Sequence, residues 1–193
     1  MRKLTASDRS ALIKLASSLP EGSPERRAIL AGLQGSSKAA GEVNVRGKHI
    51  LGRARVYGRA KVSGNASVYG KAEVYGDAKV FGRTVVYGNA HVYDDAEVSG
   101  GDVFGDARVY ENAKVSGLAY VSGNAHVYGD AQVWGEAQVF GDAEVFGDAK
   151  VSGKAEVFGK AKISGNALIA GGRWDGSEGP ITSGKWKAPG VPF

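Results

Sequence analysis

The sequence contains no cysteine, and leucine is scarce beside valine. Without cysteine the chain has no disulfide framework, no thiolate metal site and no cysteine nucleophile. The scarcity of leucine argues against a helical bundle. No apolar run approaches the ~18 residues of a membrane span, and the first residues lack the apolar stretch of a signal peptide. These absences predict a soluble, β-rich chain without an export signal.

Glycine, by contrast, makes up 30 of the 193 residues, about twice its ordinary share. The net charge of +5 comes from residues 1–50, which carry nine basic and four acidic side chains. Further along, the sign alternates. Basic residues prevail by seven to two over Arg53–Arg83, acidic residues by eleven to two over Asp94–Asp148, and basic residues by four to one over Lys150–Lys162. A nucleic-acid partner would favour one continuous basic stripe, so the pattern indicates a solvated surface or an acidic belt for a basic partner.

The central sequence repeats every six residues, in the pattern x-Val-(aromatic or Ser)-Gly-(Asp/Asn/Lys)-Ala. An aliphatic residue occupies the valine position 21 times between Ile50 and Ile169. The spacing slips only once, to five residues between Val98 and Val103. A short period of this regularity is typical of a solenoid, in which each unit stacks on its neighbours.

Each repeat predicts one short strand and one corner. Alanine and valine are two residues apart and therefore share one face of an extended strand, while the residue between them points outward. Glycine permits the positive φ of a corner, and the Asp or Asn that often follows it suits a turn. Three repeats close a triangular coil, so the 21 repeats give about seven coils around a dry Ala/Val core. At ~4.8 Å per strand this all-β coil is roughly 34 Å long.

The repeat resembles that of the hexapeptide-repeat, left-handed parallel β-helix superfamily. That family places an aliphatic residue inside the coil and a small residue four positions later, as in the segment from Val74 to Ala78. The position after the aliphatic residue departs from the family pattern, because it often holds Tyr or Phe here. With these aromatic residues the repeat looks like the long uniform repeats of uncharacterised bacterial and tailed-phage proteins. The resemblance covers residues 43–172 and implies a left-handed parallel β-helix that assembles as a homotrimer.

Every third repeat falls on the same face of the predicted coil, which defines three faces. Face one contains Val56 and Val74, face two Val62 and Val80, and face three Val68 and Val86. Face one carries a tyrosine ladder on five successive coils, which either stabilises the coil by stacking or binds a subunit or sugar rings. The tyrosine ladder consists of Tyr57, Tyr75, Tyr93, Tyr110 and Tyr128.

The other two faces differ in charge. Face two is rich in serine and lysine and is predicted to be the solvent-facing side. Face three is the least charged, with Val85 and Tyr120 at positions that mostly hold charged residues on the other faces. Face three is therefore predicted as the interface between subunits.

The N-terminal residues differ from the repeat. Residues 1–34 are predicted to form a helical hairpin, because Thr5–Asp8 is a capping box and Ser23–Glu25 places serine and proline at a second helix start. Residues 35–42 form a linker. A hairpin of this size does not fold alone, so residues 5–34 are expected to dock on an assembly partner or on the coil. The docking side chains are Leu12, Ile13, Leu19, Ile29, Leu30 and Leu33.

The C-terminal residues 173–193 also leave the hexapeptide pattern. They contain Trp174, Trp186 and three prolines. Terminal repeats of solenoids are usually atypical because an open coil end exposes unpaired backbone. An irregular C-terminal cap is therefore expected, with an aromatic ligand site as the alternative.

The resemblance also implies three chemistries, each of which can be compared with the residues present. Family acyltransferases use a histidine base beside a pantetheine groove, which makes His91 and His126 the candidates here. Zinc-binding members use three histidines, but His91 and His126 fall two coils, or ~10 Å, apart, too far for one ion. Ice-binding members need rows of threonine, and this chain has only three threonines. No metal and no cofactor are predicted.

The regularity of the repeat favours a non-catalytic structural or adhesion-type module, in a virion or larger bacterial assembly. Catalysis needs one place unlike the others, whereas these repeats are nearly identical. Two alternatives stay open: an acyltransferase-like enzyme with a site between subunits, and a polysaccharide-binding protein that uses the tyrosine ladder. A homotrimer in the cytoplasm or a virion, without membrane or nucleic-acid contact, is expected.

Overall fold

A computed structural model describes residues 44–45, 49–188 and 191–192. Within this range the chain is an all-β parallel solenoid of about seven coils, as the repeat predicts, with ten, eight and seven strands in its three sheets. The three sheets coincide with the three predicted faces. The predicted helical hairpin, with Leu12, Ile13, Leu19, Ile29, Leu30 and Leu33, lies outside the described residues.

Nearly all strands are two or three residues long, and each adds one rung to its sheet. The strands of face one are Arg55–Val56, Glu73–Val74, His91–Val92, Arg108–Val109, His126–Val127, Glu144–Val145 and Lys162–Ile163. The strands of face two are Asn44–Val45, Lys61–Val62, Lys79–Phe81, Glu97–Ser99, Lys114–Ser116, Gln132–Val133, Lys150–Val151, Leu168–Ile169, Lys185–Ala188 and Val191–Pro192. The strands of face three are His49–Ile50, Ser67–Val68, Val85–Val86, Asp102–Val103, Tyr120–Val121, Gln138–Val139, Glu156–Val157 and Arg173–Trp174.

Consecutive coils are joined by parallel backbone hydrogen bonds that recur at strands and corners alike. The Lys61 N–H donates to the Ala78 carbonyl over 2.8 Å, and in the next corner the Asn65 N–H donates to the Gly82 carbonyl over 2.8 Å. Valine therefore lies over valine, as Val56 does with Val74. The inward Val and Ala side chains from Ala54 to Ile169 are at most 2% exposed, which confirms the predicted core.

The corners require glycine for two reasons. Gly76 has a φ of +70°, and a Cβ added to it would lie 2.8 Å from the backbone nitrogen of Asp94 in the next coil. The next two coils nevertheless carry Asp94 and Glu111 at the glycine position, both with a φ of 56°. The Glu111 carboxylate accepts a hydrogen bond of 2.8 Å from the Gly129 N–H, which helps to offset the strained backbone.

The short step after Val98 is a shortened corner between face two and face three. Before this corner Val80 pairs with Val98, and beyond it Val86 pairs with Val103. The sequence separation between paired residues is therefore one residue shorter after the corner than before it. The anomaly lies where the sequence predicts it, and the strands Glu97–Ser99 and Asp102–Val103 flank it.

Two side chains replace the hydrogen bonds that the missing residue would supply. In most coils the first residue of a strand donates its N–H to a backbone carbonyl of the next coil, usually that of an alanine, but the Val85 N–H donates to the Asp102 carboxylate over 2.9 Å. Thr84 stands at an alanine position and is fully buried. Its hydroxyl accepts from the Gly100 N–H at 2.8 Å and donates to the Phe81 carbonyl at 2.7 Å. The shortened corner is therefore bonded through side chains.

The residues after the repeat continue the three sheets without the hexapeptide pattern. Trp174 pairs with Val157 on face three, Trp186 pairs with Ile169 on face two, and Ile181 bridges to Ile163 on face one. Trp174 is buried in the core, and its ring meets that of Trp186 edge-on, with 6.3 Å between centroids. Each indole N–H donates to a carbonyl three residues earlier. Large aromatic side chains thus pack against the C-terminal end of the core.

We predict that Asp102→Ala lowers the free energy of unfolding by about 1–3 kcal/mol, because it leaves the half-buried Val85 N–H without its acceptor. Asp102→Asn keeps an acceptor oxygen and removes a carboxylate whose pKa burial raises, so it should match or exceed the wild-type stability. Denaturant unfolding of the three proteins measures the difference. Equal losses in both variants would contradict the role given to the Asp102 oxygen.

Candidate functional site

The tyrosine ladder forms one continuous stack along face one. Tyr57, Tyr75, Tyr93, Tyr110 and Tyr128 lie face to face with 4.9–5.0 Å between successive ring centroids and 2–6° between ring planes. Phe146 extends the stack by a further 5.0 Å. The ring spacing follows the ~4.8 Å strand spacing, because each ring extends from the same position of successive coils.

Stacking determines what the ladder offers to a ligand. The ring faces cover one another, so the half-buried tyrosines present their edges and hydroxyl groups to solvent. The hydroxyls of Tyr75, Tyr93 and Tyr110 have no hydrogen-bond partner within the described part of the chain. A sugar ring would therefore meet a row of phenol hydroxyls, and not the open aromatic face that sugar stacking uses.

A column of charged residues and histidines runs beside the ladder. It consists of Arg55, Glu73, His91, Arg108, His126, Glu144 and Lys162. The Tyr57 hydroxyl donates to Glu73 over 2.9 Å, and the Tyr128 hydroxyl donates to Glu144 over 3.3 Å. Arg55 also binds Glu73, and Lys162 binds Glu144 at 2.9 Å. At each end of the column a glutamate therefore forms an ion pair with a basic side chain and accepts a hydrogen bond from a ladder hydroxyl.

These contacts shift the pKa values of ladder tyrosines and of the glutamates in the charged column. Burial raises the pKa of Tyr57 to about 12, helped by its hydrogen bond to Glu73, and burial together with Tyr110 and Tyr75 raises the pKa of Tyr93 to about 12. Burial opposes ionisation of Glu73, but the Tyr57 hydroxyl and Arg55 outweigh it and hold the pKa of Glu73 below its usual value. Lys162 is the main cause of the lowered pKa of Glu144. The surface therefore combines neutral phenols with ionised carboxylates at neutral pH.

The two candidate histidines lie in this column but do not meet. Arg108 pairs with His91 on one side and with His126 on the other, so the histidines are two coils apart, as predicted. Each imidazole meets a tyrosine edge-on, His91 with Tyr75 at 6.3 Å and His126 with Tyr110 at 6.1 Å. Burial and then Arg108 lower the pKa of His126, which favours the neutral imidazole.

Face three carries a second aromatic stack, which the sequence reasoning did not single out. Tyr69, Tyr87 and Phe104 stack with 5.2 and 4.8 Å between centroids. Tyr69 and Tyr87 are only 4% and 6% exposed. The signal was present in the sequence, since aromatic residues follow the valine on three successive coils of this face.

Beyond a break at Ser122, Phe140 and Phe158 stack at 5.1 Å, and the Arg173 guanidinium lies 5.1 Å from the centre of the Phe158 ring. The two residues predicted for the interface differ in exposure. Val85 is half-buried, whereas Tyr120 is exposed and meets the edge of Phe104 at 6.5 Å. Face three is thus aromatic along much of its length.

A shallow polar recess lies where face two meets the corner from face one. It is lined by Lys79, Asp95, Glu97, Asn112, Lys114, Asp130 and Gln132. The Lys79 Nζ and the Glu97 Oε1 are 2.5 Å apart, and the Asn112 amide donates to the Asp130 carboxylate over 3.1 Å. In the described segments no group of three His, Cys, Asp or Glu side chains is placed to hold a metal ion. The recess is a polar surface that contains one ion pair and one side-chain hydrogen bond.

No helix in the described part of the chain is long and apolar enough to cross a membrane. Comparisons with protein-family models, curated proteins and solved structures found no match to this chain. The resemblance to hexapeptide-repeat proteins therefore rests on the repeat itself, and the parallel stacked coil is compatible with it.

We predict that the tyrosine ladder makes the solenoid sensitive to alkaline pH. The folded pKa values of Tyr57 and Tyr93 are about 12, above the ordinary value of 10.0, so folding favours the neutral phenols. Their contribution to stability is complete below pH 10 and is lost as the pH rises through about 12. Phenolate absorbance and circular dichroism, followed together during titration, should change late and in parallel. Ladder phenols that titrate near pH 10 in an intact fold would contradict this expectation.

Proposed function

We propose that the chain is a non-catalytic structural or adhesion-type module, a stiff left-handed β-helical rod of triangular cross-section. The rod would serve in a virion or a larger bacterial assembly as a homotrimer. Residues 5–34 would attach it to other assembly proteins. The attachment is inferred from the sequence of residues 5–34, and the hand of the coil from the resemblance.

The uninterrupted register carries this proposal. From His49–Ile50 to Glu156–Val157 each strand pairs with its equivalent on the next coil, and no additional strand interrupts the order of the three sheets. Lys162–Ile163 meets the next coil through the bridge to Ile181. Backbone hydrogen bonds join strands and corners to the next coil, as at Arg59 and Lys61. Because outward positions recur at each rung with a fixed spacing, the rod offers many regularly spaced contacts, which suits a spacer or a multivalent surface.

One observation keeps the acyltransferase alternative testable: the pKa of His126 is lowered, and a neutral imidazole is the form that a general base needs. We predict no saturable binding of acetyl-CoA to the full chain in calorimetry. Tight binding that is lost in His126→Ala and kept in His91→Ala would overturn the structural proposal. Loss in both variants would point to the whole histidine column.

The hydroxyl row along the ladder makes polysaccharide binding the other alternative. Tyr93→Phe removes one hydroxyl and keeps the stacked ring, whereas Tyr93→Ala removes the hydroxyl and the ring. For a structural ladder we predict wild-type stability for Tyr93→Phe and a loss of roughly 3–5 kcal/mol at most for Tyr93→Ala, measured by denaturant unfolding. A glycan-array signal of the wild-type protein that Tyr93→Phe abolishes would instead favour the polysaccharide alternative.

A further inference from the structure

The exposed large apolar side chains are grouped around the one break in the repeat. Among the described residues these side chains are Phe81, Leu118 and Tyr120, which are 38%, 63% and 42% exposed. Phe81 precedes the corner one coil before the shortened one. Leu118 lies in the corner one coil after it, and Tyr120 starts the strand that follows. The shortened corner is therefore flanked by the large exposed apolar side chains of the described residues.

The shortened corner is recessed between these side chains. Gly100 and Gly101 have no side chains, and Gly101 is buried against the Ala119 carbonyl, where an added Cβ would lie 2.9 Å from its oxygen. The shortened corner lacks the residue after the glycine, a position at which the coil before carries Arg83 and the coil after carries Leu118, both exposed. The buried Thr84 hydroxyl and the Asp102 carboxylate hold this shape by hydrogen bonds.

The apolar groups occupy the tip of the corner and both of its sides. Leu118 is at the tip, Phe81 is on the side of face two, and Val85 and Tyr120 are on the side of face three. Phe81 and Val85 belong to the same coil, with only the corner between them. A second copy placed side by side and parallel, with this corner toward a common axis, would bring its Val85 to the height of Phe81.

The charges beside the corner complement each other in the same arrangement. The strand starts of face two carry Lys61, Lys79, Lys114 and Lys150 against the single acid Glu97. Between Ser67 and Glu156 the strand starts of face three carry the acids Asp102 and Glu156 and no basic residue. Face two of one copy would therefore place its basic strand starts against a stretch of face three without a basic strand start, which avoids like-charge repulsion in this orientation.

We propose that the shortened corner is the self-association surface of the rod, with face two of one copy against face three of the next and Leu118 of all copies near the axis. This contact joins two different surfaces, so it does not form a two-fold pair, and in the proposed homotrimer it closes into a ring of three copies. The inference rests on the proposed homotrimer and adds the place, the contacting residues and the direction of the contact.

Light scattering of the full chain gives the first test. The wild-type protein should have three times the mass of the 20.0 kDa chain. Leu118→Glu should reduce this mass to that of one chain, because it places a charge at the apolar axis. Lys160→Glu, at the equivalent repeat position of another corner, should leave the mass unchanged. A trimer that tolerates Leu118→Glu would overturn the proposed surface.

Disulfide crosslinking gives the second test, since the natural chain has no cysteine. After mild oxidation, co-expressed Phe81→Cys and Val85→Cys chains should form mixed covalent dimers, and neither variant alone should crosslink. Crosslinking of Phe81→Cys alone would show a two-fold contact and overturn the arrangement. A trimeric mass without mixed dimers would refute this surface and leave the homotrimer intact, whereas a monomeric wild-type chain would refute the homotrimer itself.

Discussion

The structure depends on the hydrogen bonds that join each coil to the next through the backbone. They set one spacing of about 4.8 Å for the whole molecule, and every side chain position must tolerate a near copy of itself at that distance. Inside the coil, valine and alanine satisfy this condition because they fill a narrow core without polar atoms. At the corners glycine satisfies it, since an added Cβ would press on the backbone of the next coil, as at Gly76. On the outside, flat rings satisfy it by stacking, as the tyrosine ladder does.

Much of this could be predicted from the sequence, because a six-residue period specifies which residues point inward and which residues of successive coils stack on the same face. The core, the three sheets and the position of the shortened corner follow from that period. The compensating bonds of Thr84 and Asp102 do not, since each joins residues of neighbouring coils that no local pattern relates. The left-handed backbone of Asp94 and Glu111 is equally hidden, because both positions break the glycine pattern. The period is the same for either hand of coil, so the hand rests on the resemblance.

The candidate surface shows the same division. The ladder and the separation of His91 from His126 follow from counting residues, as does the charged column beside the rings. The ionisation of that column does not, because it depends on which hydroxyl reaches which carboxylate. Tyr57 reaches Glu73 and Tyr128 reaches Glu144. At these ends the phenols are part of the electrostatic network of face one, in addition to being part of its packing.

Equivalent positions recur once per coil, as from Val56 to Val74 or from Val98 to Val115. The length of the solenoid is therefore set by its number of coils. Insertion or deletion of one whole coil would change its length by one rung and leave every face pointing in its original direction. Insertion of one or two repeats would instead rotate everything beyond it to another face, so that the ladder would end on one side and resume on a different one. The length can thus change without a rotation only in units of three repeats. Whatever is attached at the two ends keeps its angular relation only across a whole number of coils.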